Sequence, residues 1–210
     1  MKRLDFCQPD DVKQCLDTAA EVVASGGVVL IPTESFYGLG VDPRNAAAVD
    51  RVVELKGRPD DLGLPVVCCD WDQIDALVEI PAGHRVRLSR IWPAALSAVA
   101  PCRHEVPAAR SMTLAVRIPD HDHLRVLLYR VGPLTATSAN GHGEPPAVGV
   151  DAALSSLHGT TDLILDAGEL AGGRVSSLVD LGSVKGEVIR PGAVGWEQLF
   201  DLEEWVIKEH

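Results

Sequence analysis

Short apolar segments of strand length alternate with amphipathic helical segments along this sequence, and this alternation limits the folds open to the chain. The run GVVLIP precedes a helical segment near residues 45–55, LPVVCCD precedes WDQIDALVEI, and TLAVRIPD precedes HLRVLLYRVG. Apolar strands interleaved with helices are typical of sheets that are covered on both faces. The pattern therefore predicts an α/β fold, a twisted mixed β-sheet with flanking helices.

The two ends of the chain complete this prediction. Residues 10–25 carry apolar side chains at helical spacing, with Asp10 or Asp11 as the expected N-cap. Towards the other end we expect a short helix at residues 151–157, three strands in DLILDAG, SSLVDL and EVIRPG, and a terminal amphipathic helix in GWEQLFDLEEWVIKEH. Because no repeat and no Ser/Gly/Pro-rich linker divides the chain, residues 1–210 are expected to form a single domain.

The charge of the chain limits its partners. Nineteen Lys and Arg residues against thirty Asp and Glu residues give a net charge of −11. A chain with this charge repels phosphate backbones and anionic membranes, so we expect at most weak RNA binding and no membrane association. No apolar run approaches the roughly 20 residues of a membrane span, and the acidic N-terminal segment does not resemble a signal peptide. A cytoplasmic location is therefore expected, and any anionic ligand needs a local basic cluster.

The cysteines and histidines do not indicate a metal site. The five cysteines reproduce no familiar zinc spacing and are expected to be reduced thiols: Cys7, Cys15, Cys68, Cys69 and Cys102. His121 and His123 in the sequence DHDH have a metal-binding alternative, but a role as helix cap and helix-dipole partner is favoured. We expect no protein metal site.

Polar side chains cluster immediately after the predicted strands and helices. The segment PTESFYGLG follows a buried strand, where open α/β sheets place their ligand crevices, and we interpret it as a loop that presents Thr33, Glu34, Ser35 and Tyr37. In LKGRPDD, Lys56 and Arg58 follow a helix C-terminus. Pairing with the helix dipole is the simpler interpretation of these two cations, and a phosphate clamp is the functional one.

Further polar groups lie at the ends of later strands. Arg117 is embedded in the apolar strand LAVRIP, and a buried arginine needs an anionic partner. The segment TATSAN ends with hydroxyl and amide groups that form either an ordinary turn or a binding site. Two serines before LVDL and an arginine in VIRPG repeat this arrangement, and we expect these strand ends to converge on one groove: Thr137, Ser138, Asn140, Ser176, Ser177 and Arg190.

The glycine patterns exclude two common nucleotide sites. The sequence GLG at residues 38–40 lacks the third glycine of a dinucleotide fingerprint, and no GxxxxGK[ST] segment is present. If the chain binds ATP, it does so through neither a dinucleotide fingerprint nor a P-loop.

Taken in order, PTESFYGLG, KGRP, a strand ending in RIP, TSAN, LDAG followed by SSLVDL, and IRPG resemble the YrdC-like family of L-threonylcarbamoyladenylate synthases. The resemblance covers about residues 26–191 and implies an α/β fold with a deep groove. The implied reaction joins L-threonine, bicarbonate and ATP into threonylcarbamoyl-AMP with release of pyrophosphate. It is a nucleotidyltransferase reaction and the first step of the threonylcarbamoyl modification of a tRNA adenosine, which partner proteins complete.

The resemblance also implies roles for individual residues. Lys56 and Arg58 would be catalytic and contact the carbamate and the phosphates, and Arg117 would bind the threonine carboxylate or a neighbouring phosphate. The remaining residues fall into two sets: Thr33 and Tyr37 lining the threonine pocket, and Thr113, Ser138, Asn140, Ser176 and Arg190 holding the nucleotide. Mg²⁺ is expected to enter with ATP, on its phosphates.

Two alternatives stay open at this point. The segment DDLGLP after KGRP departs from the family pattern, which leaves room for a divergent YrdC-like paralogue with related carbamoyl-AMP chemistry. The fold has also been credited with affinity for double-stranded RNA, although strong RNA binding needs a basic face that is not evident in the sequence.

Overall fold

The structure is a computed structural model that describes residues 1–7, 9–57, 63–109, 111–182, 186–195 and 206–207. Its helices are α1 Pro9–Ala24, α2 Ala46–Lys56, α3 Trp71–Asp75, α4 Ala82–Leu88, α5 Asp122–Val131 and α6 Val150–Ser155, with one 3-10 turn at Pro107–Ala109. Its strands are β1 Lys2–Asp5, β2 Val29–Pro32, β3 Tyr37–Gly40, β4 Val66–Val67, β5 Leu96–Pro101, β6 Thr113–Arg117, β7 Leu134–Thr135, β8 Thr137–Ser138, β9 Leu163–Asp166, β10 Ser177–Asp180, β11 Glu187–Arg190 and β12 Val206–Ile207.

The strands form two mixed sheets. The first has five strands in the order β1-β9-β2-β3-β8, and the second has seven in the order β12-β11-β10-β5-β6-β4-β7. The chain passes from the second sheet to the first at Ala136, between β7 and β8, where the amide of Ala136 donates to the carbonyl of Pro65 at 2.8 Å. The α/β class and the mixed pairing agree with the prediction, although the strands divide between two sheets.

Strand β2 is buried on both faces because its side chains alternate between two apolar clusters. Val29 and Ile31 pack with residues of α1 and α5, whereas Leu30 packs with residues of α2 and the second sheet. This is the environment that an all-apolar strand predicts.

Helix α2 has well-defined ends. The side chain of Asn45 caps its N-terminus by accepting from the amide of Ala48 at 3.2 Å. Gly57 ends the helix in the left-handed region at a φ of 57°, a conformation that glycine adopts without the usual steric penalty. These caps fix the position of Lys56, the last residue of the helix.

The loop interpretation of PTESFYGLG is wrong for its second half. Tyr37–Gly40 forms β3, which pairs antiparallel with β2 on one side and with β8 on the other. Gly38 and Gly40, at alternate positions of β3, obscure the strand pattern in the sequence. Gly38 lets β8 approach closely, because a Cβ on Gly38 would lie 3.3 Å from the carbonyl oxygen of Thr137.

Other boundaries also differ from the prediction. Helix α1 begins at Pro9, so Asp10 and Asp11 lie within its first turn; proline is well suited to that first position. The strand in LPVVCCD is limited to β4, and the helix in WDQIDALVEI ends early because Val78 forms an antiparallel bridge with Cys102.

Most of the predicted C-terminal helix lies outside the described residues. At Val206–Ile207 the helix prediction is wrong, because these residues pair in parallel with Glu187 and Val188 as strand β12. Across the described part of the chain, none of the helices has the length and apolar character needed to cross a membrane.

Candidate active site

A cavity of about 270 Å³ lies between the two sheets. The first sheet contributes the β2–β3 turn and β8, and the second contributes the ends of β6 and β11. Its lining residues are Thr33, Glu34, Ser35, Phe36, Tyr37, Gly38, Pro65, Arg117, Ala136, Thr137, Ser138, Val175, Ser176 and Arg190. Polar side chains and arginines are thus brought together in a chain of net charge −11.

A second cavity of about 300 Å³ adjoins the first and shares Pro65, Ser176 and Arg190 with it. Its other walls come from β5, from β6 and from the segments that precede β4 and β6, and they include Thr113. The two cavities therefore adjoin, and we refer to them together as the groove.

Thr33 holds the β2–β3 turn in place. Its hydroxyl donates to the carbonyl of Phe36 at 2.7 Å and accepts from the amides of Ser35 and Phe36 at 3.4 and 3.3 Å. Such side-chain bonds to nearby backbone stabilise a turn in place of regular structure. Thr33 therefore determines where Glu34, in the middle of this turn, is presented.

Glu34 and Arg117 form an ion pair across the groove. Nη1 of Arg117, at the end of β6 in the second sheet, donates to Oε1 of Glu34, in the turn of the first sheet. Both side chains are largely buried, with 10% of Arg117 and 16% of Glu34 exposed. The anionic partner that a buried arginine needs is therefore Glu34.

The side chain of Tyr37 is buried, and its hydroxyl anchors the segment after β9. The hydroxyl donates to the carbonyl of Gly168 at 2.8 Å and accepts from the amide of Ala167 at 2.9 Å. Burial raises the pKa of Tyr37 to about 12, so the phenol stays protonated at neutral pH. Tyr37 lines the cavity, but its hydroxyl forms hydrogen bonds with backbone groups that lie outside the cavity lining.

Lys56 is buried behind the part of the groove wall that Ser138 forms. Its ammonium group donates to the carbonyl oxygens of Ser138 and Asn140, the latter at 2.7 Å. The amide of Asn140 in turn donates to the carbonyl of Glu144 at 2.6 Å. Lys56 and Asn140 thus hold the segment that presents Ser138 to the cavity.

Ser176 and Arg190 form the wall common to both cavities. Nη2 of Arg190 donates to the carbonyl of Ser176 at 2.9 Å, and the hydroxyl of Ser97 donates to that of Ser176 at 3.3 Å. Gly192 permits the close approach of this segment to the backbone before β10, because a Cβ at residue 192 would clash with the carbonyl oxygen of Val175.

His121 caps helix α5, as expected from the DHDH sequence. Its Nδ1 accepts from the amide of Leu124 at 3.2 Å. Burial lowers the pKa of His121, an effect that the nearby Glu34 carboxylate partly offsets.

The predicted site residues that the structure describes fall into three groups. One group lines the first cavity: Thr33, Tyr37, Arg117, Ser138, Ser176 and Arg190. Thr113 is exposed and lines the second cavity, whereas Lys56 and Asn140 support the wall from behind. Arg58 lies outside the described residues. The roles assigned to these residues stay predictions.

Several lining residues were given no ligand role from the sequence. Glu34 and Thr137 were among the polar groups expected near the groove, but no substrate was assigned to them. Phe36, Pro65 and Val175 are apolar or lack a side-chain donor, and no sequence signal separates them from core or loop residues.

The fold and the groove define a class of α/β protein in which two mixed sheets enclose a polar groove lined with arginines and hydroxyl groups. The family model of Sua5, YciO and YrdC, described as telomere recombination, matches residues 21–192. The chain belongs to this Sua5/YciO/YrdC family.

Named relatives and solved structures agree with this membership. The threonylcarbamoyl-AMP synthase of Pseudomonas aeruginosa is 40% identical over 178 residues, which are 82% of this chain and 95% of the relative. That of Pseudomonas putida is 37% identical over 178 residues, with 83% and 95% covered.

A crystal structure of P. abyssi Sua5 complexed with L-threonine has a TM-score of 0.92 and 29% identity to this chain. The match covers 99% of this chain and 63% of Sua5, so the chain spans less than two thirds of that protein. E. coli YciO, with a TM-score of 0.79 and 23% identity over 94% of this chain and 96% of its own, shares the fold.

Proposed function

We propose that this chain is an L-threonylcarbamoyladenylate synthase, a nucleotidyltransferase that forms threonylcarbamoyl-AMP and pyrophosphate from L-threonine, bicarbonate and ATP. The observation that carries the proposal is that Arg117 and Arg190, from different strands, line one cavity. Hydroxyl-bearing residues at the ends of other strands line the same cavity, among them Thr33, Ser138 and Ser176. Two named threonylcarbamoyl-AMP synthases with 37 and 40% identity support it.

The reaction requires what this groove supplies. The threonine amine captures bicarbonate or carbon dioxide as a carbamate, and a carbamate oxygen then attacks the α-phosphate of ATP with pyrophosphate as the leaving group. Two anions must approach each other, so fixed cations and hydroxyl donors lower the barrier. Holding the reactants in line contributes further, and no covalent protein nucleophile is needed.

The first cavity is the proposed amino-acid end of the groove. Arg117 would bind the threonine carboxylate there, and Thr33 and Tyr37 would shape the pocket through the turn and the wall that they hold. The P. abyssi Sua5 structure with L-threonine, which superposes on 99% of this chain, supports a threonine site in this fold.

The second cavity is the proposed nucleotide end. Thr113 lines it, and Ser176 and Arg190 stand where the two cavities meet, which is where the α-phosphate must lie to be attacked. Ser138 faces the first cavity from the other side. Lys56 would contribute its positive charge from behind the backbone of Ser138. Arg58 is proposed to contact the carbamate and the phosphates.

Mg²⁺ is proposed to enter on the phosphates of ATP. Within the described residues, no group of three or more His, Cys, Asp or Glu side chains is placed to hold a metal ion. The carboxylate in the first cavity, Glu34, is paired with Arg117. This donor set suits an ion held by phosphate and water, whose charge would neutralise the leaving pyrophosphate.

The product is a reactive mixed anhydride, and we propose that partner proteins consume it by transfer to tRNA. The net charge of −11 supports at most weak binding of RNA by this chain itself. A gel shift with double-stranded RNA that persists in high salt would contradict this expectation.

The test is pyrophosphate release with a panel of amino acids. We expect release that requires ATP, bicarbonate and L-threonine together, that is lost in Arg117→Met and that is retained in Arg90→Met, a matched change at an exposed arginine of the described chain. Absence of threonine-dependent release would overturn the proposal. Release that requires ammonia in place of an amino acid, which would supply the carbamoyl nitrogen, would indicate carbamoyl-AMP chemistry instead.

A further inference from the structure

Strand β5 carries a single polar side chain, that of Ser97, in the sequence LSAVAP. Ser97 is buried, with 3% of the residue exposed, and it is one of the residues that line the second cavity. A hydroxyl group buried in an apolar strand is costly unless it forms a hydrogen bond. The partner that Ser97 uses therefore indicates what the residue does.

The register of the second sheet places Ser97 beside Ser176. Strand β5 pairs in parallel with β10, and Leu178 lies opposite Ser97. Residues two apart share one face of a strand, so Ser176, directly before β10, is the diagonal neighbour of Ser97 on the same face. Ser176 lines both cavities, whereas Ser97 lines the second. The two serines thus lie together where the cavities adjoin.

The hydrogen bonds at Ser176 determine the direction of its hydroxyl proton. Oγ of Ser97 donates to Oγ of Ser176 at 3.3 Å, and Nη2 of Arg190 is a second donor, 3.5 Å from the same oxygen. A serine hydroxyl has two acceptor lone pairs and one proton. With donors at both lone pairs, the proton of Ser176 is directed away from Ser97 and Arg190. The hydroxyl is then oriented to donate to a ligand in the groove.

We infer that Ser97 is a positioning residue, which holds the hydroxyl of Ser176 in the orientation that donates to a non-bridging oxygen of the α-phosphate. The inference rests on the proposed function, which places the α-phosphate beside Ser176. Negative charge on the phosphoryl oxygens must be stabilised as the carbamate attacks, and a donor that is already oriented does this without reorganisation. Ser97 should therefore act on kcat more than on substrate binding.

The length of the bond separates this role from a role in folding. At 3.3 Å the Ser97–Ser176 bond is longer than the usual hydroxyl–hydroxyl bond of about 2.7–2.8 Å, so it adds little to the stability of the fold. A weak bond is nevertheless sufficient to favour one orientation of a freely rotating hydroxyl. Loss of Ser97 should lower activity and leave stability nearly unchanged.

Steady-state pyrophosphate release by the full chain measures the effect. In Ser97→Ala the kcat should fall by about threefold to tenfold, the effect of one neutral hydrogen bond, and the KM values for ATP and threonine should stay within about twofold. Ser97→Thr keeps the hydroxyl on a side chain that suits a strand and should restore most of kcat. Ser89→Ala, at an exposed position after α4, is the matched control and should have wild-type kinetics.

A double-mutant cycle tests whether Ser97 acts through Ser176. In a Ser176→Ala background the hydroxyl to be oriented is missing, so adding Ser97→Ala should lower kcat no further. Thermal unfolding should show that Ser97→Ala changes Tm by less than about 3 °C. If Ser97→Ala does not fold, Ser97→Cys, which has a similar volume and a weak donor, replaces it in both backgrounds.

The outcomes distinguish this inference from the proposed function. If the wild type releases threonine-dependent pyrophosphate but the change at Ser97 has no effect, or lowers kcat equally with and without the Ser176 hydroxyl, the inference is overturned and the function stands. A fall in activity that accompanies a large loss of Tm also overturns the inference. If the wild type releases no pyrophosphate with threonine, the function fails and the inference with it.

Discussion

The ammonium group of Lys56 donates to the backbone carbonyl of Asn140, 2.7 Å away and 84 residues further along the chain. Only 5% of Lys56 is exposed, so this cation is held inside the protein at the end of helix α2. Ser138, whose carbonyl is the second acceptor, lines the first cavity. The contact therefore links the capped end of α2 to the wall of the groove.

Replacing Lys56 should affect both stability and activity. Lys56→Met leaves the carbonyls of Ser138 and Asn140 without their donor, and the free energy of unfolding should fall by about 1–3 kcal/mol. Urea denaturation measures this loss, and Lys13→Met, at an exposed position of α1, should change it by less than about 0.5 kcal/mol. Equal effects of the two variants would contradict the structural role of Lys56.

Arg190 should matter more for ATP than for threonine. It lines both cavities and adjoins Ser176, where the phosphates are proposed to lie. In Arg190→Met the KM for ATP should rise by about tenfold or more, the effect of one charge-assisted hydrogen bond, while the KM for threonine changes little. Steady-state pyrophosphate release at varied ATP and varied threonine measures both constants. A selective rise in the KM for threonine would contradict the assignment of the amino acid to the first cavity and the nucleotide to the second.

His121 should make the folded state less stable in mild acid. Burial lowers its pKa below the ordinary 6.5, so the unfolded chain binds a proton more readily than the folded one. Its contribution to stability is therefore complete above about pH 6.5 and declines as the pH falls towards the folded-state pKa.

His121→Asn provides the comparison, because asparagine caps a helix well and does not titrate. The free energy of unfolding of the wild type, relative to this variant, should be lower at pH 5.5 than at pH 8. Urea denaturation at both pH values tests this, and a wild type that gains stability in acid relative to the variant would show that the sign is wrong.

The cysteines should differ in their reaction with iodoacetamide. Cys7 is exposed, whereas Cys15 and Cys68 are buried, and burial raises the pKa of Cys68. In the folded protein at pH 8, mass spectrometry should find Cys7 labelled first and Cys15 and Cys68 unlabelled, with all five cysteines labelled in guanidinium. Rapid native labelling of Cys68 would be inconsistent with the packing of the core.

The fold could be predicted where periodicity is strong. Strand β2 and helices α2 and α5 follow from apolar runs and helical stripes. Strand β1 is mostly polar and exposed, so its sequence KRLD carries no apolar signal, although it pairs in parallel with β9. The division into two sheets depends on which strands pair, and local sequence does not contain this information.

The site was predictable as a set of residue types but not as a geometry. Arg117 was recognisable because a cation inside an apolar strand needs a partner, and the partner is Glu34, 83 residues away. The burial of Lys56 arises from long-range contacts. The predicted loop presented Tyr37 to the ligand crevice; the residue does line the cavity, but as part of strand β3, and its hydroxyl bonds to Gly168.

The most direct test of the proposed reaction is the mass of the product formed from ¹³C-bicarbonate, L-threonine and ATP by the full chain. The proposed reaction gives threonylcarbamoyl-AMP that is one mass unit heavier than the product of ordinary bicarbonate, together with one pyrophosphate per product. An unlabelled adenylate, a labelled adenylate without threonine, or no adenylate in the presence of all three substrates would contradict it.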